Sequence, residues 1–469
     1  MKVWPLKFRE HDHGELLFTN DAGGFFRSDQ RFLDRYVDDT LTDEDFEFLR
    51  RHGHAYRDTR DAAFDGFCGR WARRINPVSK LNYFILIPTL RCNLSCDYCQ
   101  VSRAPETASG FDWNDEILRQ FLGSLSMLDT ETIKVEFQGG EPLLRLDILE
   151  EVREFCRNNF QQAEFVVCTN LQSVSEEAWE FLGAADTFIS TSFDGVEEVH
   201  RSQRTKDSVV HSEFWSNLQR AFSEFGTAKA SALPTLDVHN LPEPESVIRS
   251  FVELGLRSIY LRRVNYQGFA RKRYDFKDTQ GAWMQFYRRF VGCLIEHNWE
   301  NDDSVEEYYL SHLLRRIFRT GIQNHVDLRN PNWLGYDYLV VDFDGKYYPT
   351  DEARMVSRIG RMDLSIGDVD SGIDARKRDV LNSAASNFDD PDCIHCVFQA
   401  YCGPDVIDDL SRYGRIDIPR HETAHCQHHT ALFDFAFELI YSEDPKVHRS
   451  LGHWLGTPIY RTELAARLK

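Results

Sequence analysis

The sequence predicts an α/β fold: a parallel sheet whose strands alternate with helices and which curls toward a partial barrel. Three observations predict it. From about residue 82, six short β-rich runs alternate with longer amphipathic stretches, and strand–helix–strand repeats of this length build parallel sheets. The chain has 469 residues, 42% hydrophobic and 13% aromatic, which is ample for globular packing in two or three domains. The chemically distinctive residues fall just after the strand runs, where ligands sit in parallel α/β folds.

In chain order, residues 1–75 come first. Leu16-Leu-Phe-Thr-Asn20 and Gly24-Phe-Phe-Arg27 flank Asp21-Ala-Gly-Gly24 as a short hairpin. Stretches 29–37 and 41–52 then read as helices, the second with Thr42 or Asp43 near its N-cap. The strand runs are 82–89, 133–138, 164–169, 187–193, 228–234 and 258–265, and the helical patterns are 114–128, 145–159, 175–184, 207–225, 243–254 and 281–297. This gives a layout of 1–75 as a capping or recognition region, 80–300 as the barrel, 301–440 as a cysteine-bearing domain and 441–469 as a tail.

The balance of 55 basic against 75 acidic residues, a net charge of −20, argues against nucleic-acid binding, which depends on phosphate neutralisation. The basic groups Arg271-Lys-Arg273 and Arg315, Arg316 and Arg319 read as solvated helix faces. The first fourteen residues are too charged for a secretory core, and no apolar run is long enough to span a bilayer. Eleven cysteines without an export signal point to metal or redox chemistry in a reducing cytoplasm, with no membrane partner.

After the first strand run stands Arg91-Cys-Asn-Leu-Ser-Cys-Asp-Tyr-Cys-Gln100. Three thiolates at positions 92, 96 and 99 can hold three irons of a [4Fe–4S] cube and leave the fourth open; core or zinc-bound cysteines are the alternative. After the second run comes Gly139-Gly-Glu-Pro142, after the third Thr169-Asn170, and after the fourth Ser192-Phe-Asp-Gly195, followed by His200-Arg-Ser-Gln-Arg204. A Gly-Gly pair permits close backbone approach, and a carboxylate such as Glu141 can receive an ammonium group.

Taken together, these motifs resemble the radical S-adenosylmethionine (SAM) superfamily, and residues 82–300 look like its partial (β/α)6 barrel. The resemblance implies that Cys92, Cys96 and Cys99 hold a [4Fe–4S] cluster whose free iron chelates SAM. It also implies that Tyr98 lies near the adenine, that Gly139, Gly140 and Glu141 contact the methionine amino end, and that Ser192 contacts polar groups of SAM. The Ser-Phe-Asp-Gly and His200-to-Arg204 stretches resemble a pattern of the peptide-modifying branch, with Arg204 paired to the SAM carboxylate. Arg201 stands where that pattern has aspartate.

A second set, Cys393-Ile-His-Cys396, Cys402 and Cys426, can close around zinc or a [4Fe–4S] cluster. Downstream of such a barrel it resembles the SPASM extension, which implies one auxiliary [4Fe–4S] cluster on Cys393, Cys396, Cys402 and Cys426. The ligands of a second, inner auxiliary cluster are missing: Thr350 and Val406 stand at expected cysteine positions. That site is expected to be empty or to use Tyr347, Tyr348 or Asp351. Cys68, Cys156, Cys168 and Cys293 read as core. His421-Glu-Thr-Ala-His425 fits the zinc-protease motif H-E-x-x-H, but Cys426 adjoins it and Pro419 precedes it.

The N-terminal strands and helices resemble the winged-helix module by which peptide maturases hold a leader, a plain barrel cap being the alternative. The overall layout resembles the His-Xaa-Ser-system radical SAM maturases. The implied activity is maturation of a ribosomally made precursor peptide with a leader, by hydrogen abstraction and intrapeptide carbon–carbon bond formation, with a flavodoxin- or ferredoxin-type electron donor. Formylglycine-generating oxidation and a non-catalytic zinc or leader-binding scaffold are the rival expectations.

Overall fold

Five of the six expected strands form one parallel array in chain order: Tyr83–Leu86, Thr132–Phe137, Gln162–Thr169, Thr187–Ser192 and Ala230–Leu233. The computed structural model describes residues 2–11, 14–265, 267–268, 270–273 (main chain only at 272–273), 279–321, 325–457 and 465–468. The helices Asp115–Leu125, Leu146–Asn159, Glu176–Gly183 and Ser208–Phe225 make the crossovers. Strand alternation fixes which face each side chain takes. Ile133, Val135 and Phe137 are buried against the helices with Phe165, Val167 and Ile189. The intervening Glu136 and Cys168 face the other way and touch each other, at 3.2 Å.

The sixth run departs from expectation. Residues 258–265 break into Ser258–Ile259, which pairs parallel with Glu306–Glu307, and Arg262–Arg263, which pairs parallel with Thr235–Leu236. Pro234 supplies the physical reason. It lacks the N–H that a continuing ladder needs, so strand Ala230–Leu233 stops and the chain re-pairs one step beyond. The sheet grows instead on its first edge. Tyr338–Val341 lies parallel to Tyr83–Leu86, and Tyr347–Tyr348 folds back antiparallel around a turn with Gly345 at φ +79°.

Before the barrel, Lys7–Glu10, Leu16–Thr19 and Phe25–Ser28 make a three-stranded antiparallel sheet. The expected hairpin is its second and third strands. Helices Gln30–Val37, Asp43–Arg51 and Ala62–Arg74 follow, and Thr42 caps the second in a reciprocal box with Asp45. Phe18, Phe26, Phe32 and Leu49 form a separate core. This unit sits on the 393–402 loop: Thr19 Oγ1 donates to Val397 O at 2.7 Å, and the Tyr401 hydroxyl donates to Gly23 O at 3.0 Å.

One expectation is corrected here. Arg316 is no solvated side chain; it is buried and donates to Tyr401 O at 2.6 Å, while Arg315 reaches Trp454 O at 2.7 Å. These cations satisfy carbonyls between packed elements rather than facing water. Arg271 donates to Ser411 O at 2.8 Å; the side chains of Lys272 and Arg273 lie outside the described residues. Among the described residues no helix is long and apolar enough to cross a membrane.

Candidate functional site

The loop that leaves strand Tyr83–Leu86 carries Cys92, Cys96 and Cys99, all half-buried and free. A turn brings the last two together, Cys99 N–H donating to Cys96 O at 3.3 Å. The next strand's loop packs beneath. Gly140 N–H donates to Thr89 O at 2.9 Å and Glu141 N–H to Arg91 O at 2.8 Å. Here the glycines are required: a Cβ on Gly140 would lie 2.1 Å from Arg91 O, and one on Gly139, at φ +130°, 2.3 Å from Thr89 O. The face that a side chain would occupy is used by the backbone that feeds the cysteine loop.

Glu141 is buried, and its carboxylate accepts from the Thr169 hydroxyl at 2.8 Å, from Asn170 N–H at 2.8 Å and from Leu143 N–H at 3.2 Å. It thereby ties the second and third strand-end loops together. Burial pushes its pKa up to about 7 despite those donors. Asn170 carries the tie to the cysteines, with its Nδ2 2.8 Å from Asn93 Oδ1 and 3.6 Å from Cys92 Sγ. Sequence reasoning gave Asn170 no role, although its position after a strand is the signal that could have found it.

From the fourth strand's loop, Asp194 is fully buried and accepts from the Tyr98 hydroxyl at 2.9 Å and from Thr235 N–H at 3.1 Å. Arg204 ends helix Glu197–Gln203 and donates to the same Tyr98 hydroxyl at 2.9 Å. Arg204, Tyr98 and Asp194 thus lock the cysteine loop to the fourth strand. Burial raises Asp194 to about 6, with Arg204 opposing; Arg204 itself is held well above its usual range by Cys96, Tyr98 and Asp194, against its own burial. Ser192 is half-buried at the end of strand Thr187–Ser192. Gln203, at the end of helix Glu197–Gln203, is buried with neither amide atom partnered within the protein.

Burial drives Cys92 up to about 12, with Glu141 adding to the shift, and raises Cys96 against the pull of Arg204. Thiolates in such a place need a strong cation to form, which an iron cluster supplies. Three soft donors on one loop, an orphaned amide and a buried carboxylate fit a three-cysteine [4Fe–4S] cluster with an amino-acid-bearing cofactor beside it.

The second group is brought together from two segments. Cys393 and Cys396 bracket a single turn, Cys396 N–H donating to Cys393 O at 3.0 Å, and Cys402 follows with its N–H on Phe398 O at 3.1 Å. Cys426 sits in the first turn of helix Ala424–Ile440, capped by Thr423, where the helix dipole favours a thiolate. Burial and then the neighbouring thiols raise Cys402, and Cys393 additionally feels Asp390. His421 and His425 do not make a protease site: His421 lies in the short turn Arg420–Glu422, largely exposed, while His425 belongs to the following helix and meets Gly403 O at 3.0 Å.

At the expected inner site, the Thr350 side chain caps helix Asp351–Arg358, Asp351 pairs with Arg354 at 2.8 Å, Tyr347 donates to Ser124 Oγ at 3.3 Å, and Val406 is buried among apolar side chains. Of the four cysteines assigned to core, Cys156 is buried, but Cys68, Cys168 and Cys293 are only half-buried. Cys293 packs on the edge of the main core and donates to Glu245 at 3.1 Å in a surface groove.

A cavity of about 620 Å³ opens between the sheet's inner face and the 301–440 region, lined by Glu136, Arg262, Asp327, Glu352, Asp405 and His425 among others. Burial, with Asp351 close by, raises Glu352 to about 8, and burial raises Asp327 and Asp405 as well. Buried carboxyls of raised pKa gathered in one cavity make it the candidate substrate chamber.

Residues 86–249 match the radical SAM superfamily model. An uncharacterised protein of Methanocaldococcus jannaschii is 26% identical over 188 residues, 39% of this chain and 62% of the relative. Another, from Methanothermobacter thermautotrophicus, is 24% identical over 180 residues, 37% of this chain and 64% of the relative. The matches thus span a little under two thirds of each relative. Among solved structures, native anSMEcpe with bound AdoMet superposes with a TM-score of 0.59 at 20% identity, covering 76% of this chain and 96% of that one. Streptococcus suis SuiB bound to precursor peptide SuiA gives 0.52 at 14% identity, covering 91% and 100%. At these identities the structural likeness establishes the fold.

Proposed function

We propose that this chain, an enzyme with a radical SAM domain at residues 86–249, matures a ribosomally made peptide by forming a carbon–carbon bond within it. The observation that carries the reading is the placement of its cysteines: three on one loop tied to the fourth strand by Arg204, Tyr98 and Asp194, and four more on two neighbouring segments, although among the described residues no three such side chains close around a single metal ion. A cluster with SAM on its open iron supplies a 5′-deoxyadenosyl radical able to take hydrogen from an unactivated side-chain carbon. Cys92, Cys96 and Cys99 would hold that cluster, and Cys393, Cys396, Cys402 and Cys426 an auxiliary one.

The chain's own residues then bind, orient and move protons. Glu141 and the Gly139–Gly140 backbone would hold the methionine amino end of SAM, Tyr98 would lie near its adenine, Ser192 would contact its polar groups and Arg204 its carboxylate. The cavity excludes water around the target carbon and fixes its approach. Bond closure leaves one electron and one proton to be removed; the auxiliary cluster would take the electron, and an ionised carboxylate of the cavity wall would receive the proton. A precursor peptide as partner is supported by the fold likeness to SuiB bound to precursor peptide SuiA; the N-terminal sheet and helices are read as a winged-helix-like leader dock, and the 301–440 region as SPASM-type. A flavodoxin- or ferredoxin-type donor in the cytoplasm would supply the electron.

The experiment is anaerobic reconstitution with SAM and dithionite. Release of 5′-deoxyadenosine and methionine by the native chain, and its loss in Cys96→Ala, is expected; cleavage that survives Cys96→Ala would refute the assignment.

A further inference from the structure

The edge of the N-terminal sheet that could receive a peptide strand is already taken by the chain itself. Strand Phe25–Ser28 is one border of that sheet, and its outer main chain pairs with residues 465–468. Arg27 N–H donates to Ala466 O at 3.0 Å, Leu468 N–H donates to Arg27 O at 2.9 Å, and Arg27 faces Arg467 in parallel register. Two bonds from one residue to the neighbours of its partner are the parallel ladder pattern. Ser28 Oγ adds a bond to Leu468 O at 2.8 Å.

Side chains follow the strand alternation. Ala466 and Leu468 pack on the N-terminal core beside Phe18 and Phe26. Arg467 turns the other way, 5.5 Å above the Tyr441 ring and 3.7 Å from Glu443. Tyr441 clamps the segment, its hydroxyl donating to Ala466 O at 3.1 Å while Arg27 lies 4.1 Å above its ring. The opposite border, Lys7–Glu10, is a poor landing strip. It is charged, Lys7 is bound to Gln399 and Asp21, and Arg9 to Asp434 at 2.9 Å.

We propose that residues 465–468 are an intramolecular occupant of the peptide-docking edge, a strand that an incoming peptide must displace. Their pattern of small residue, basic residue and leucine describes the peptide strand that fits there. The inference rests on reading the N-terminal sheet as a peptide dock. Sheet edges hold peptides by main-chain bonds and select them through alternate side-chain pockets. A tethered segment holds such an edge at high effective concentration, so free peptides enter only when they out-compete it.

The test uses a fluorescent nonapeptide with the sequence of residues 461–469 and the full-length chain, read by anisotropy. Leu468→Asp in the chain should loosen its own strand and tighten nonapeptide binding at least about tenfold relative to the native chain. Arg467→Glu, which sets like charge against Glu443 within the chain's own segment alone, should tighten it to a lesser degree and serves if Leu468→Asp does not fold. A nonapeptide N-methylated at the residue matching Leu468 should not bind, since the bond to Arg27 O is gone. Equal affinity for native and variant chains, or undiminished binding of the N-methylated peptide, would overturn the proposal. Failure of SAM cleavage alongside the expected nonapeptide pattern would count against the maturase reading alone.

Discussion

Replacing Gly140 by alanine should damage the cysteine loop from below, without touching a cysteine. The new Cβ would stand 2.1 Å from Arg91 O and 2.5 Å from Leu90 O, both backbone atoms. An ordinary carbon–oxygen contact is about 3.3 Å, so one loop must retreat by more than about 1 Å. That retreat breaks the Gly140 N–H bond to Thr89 O and the Glu141 N–H bond to Arg91 O. Losing two buried hydrogen bonds, with the groups left unsatisfied, costs about 2–4 kcal/mol. A displacement of this size near the reacting atoms also lowers turnover roughly 100-fold. The assay pairs denaturant unfolding with 5′-deoxyadenosine formation on anaerobically reconstituted protein. Gly123→Ala is the control: it lies on an exposed turn of helix Asp115–Leu125 with nothing near its Cβ, and should be neutral or stabilising by about 0.5–1 kcal/mol. Native stability and native SAM cleavage in Gly140→Ala would refute the packing argument.

Further outcomes follow from single groups. Tyr98→Phe strips Asp194 of the hydroxyl it shares with Arg204 and should cost about 1–3 kcal/mol in denaturant unfolding; an unchanged midpoint would show that the lock does not bear on the fold. Cys96→Ala should abolish SAM cleavage yet keep about four irons on the remaining four-thiol set, measured by iron analysis, and complete iron loss would contradict two independent centres. Glu352 binds its proton more tightly folded, at about 8, than at its ordinary 4.5. Its contribution to stability is therefore full below about pH 4.5 and lost as pH rises through about 8. Glu352→Gln should flatten that decline between pH 5 and 9 in urea midpoints, and an unaltered slope would contradict the burial argument. His421→Ala, at an exposed position outside the helix that carries His425, should leave metal content and stability unchanged within about 0.5 kcal/mol.

Much of the barrel was legible because its signals are local. Helical periodicity between the β-rich runs put Asp115–Leu125, Leu146–Asn159, Glu176–Gly183 and Ser208–Phe225 close to where they fold. The misses are long-range. Nothing local in Leu339-Val-Val341 says that it will lie against Tyr83–Leu86, more than 250 residues away, since a short apolar run fits any open edge. Strand Lys7–Glu10 was invisible because three of its four residues are charged, which suits a sheet border rather than a core strand. At the site, motifs named the cysteines, glycines and Glu141, but the partners that hold them are tertiary. Asp194 and Asn170 become meaningful only when the fourth and third strand-end loops close over Tyr98 and Cys92.

The central claim is that two iron–sulfur centres stand on the three-thiol and four-thiol sets. Iron, sulfide and zinc counted per chain on protein purified and reconstituted without oxygen test it most directly. About eight irons with matching sulfide and no zinc is the result expected. About four irons with one zinc would keep the radical chemistry and remove the auxiliary cluster, and zinc without iron would contradict the account altogether.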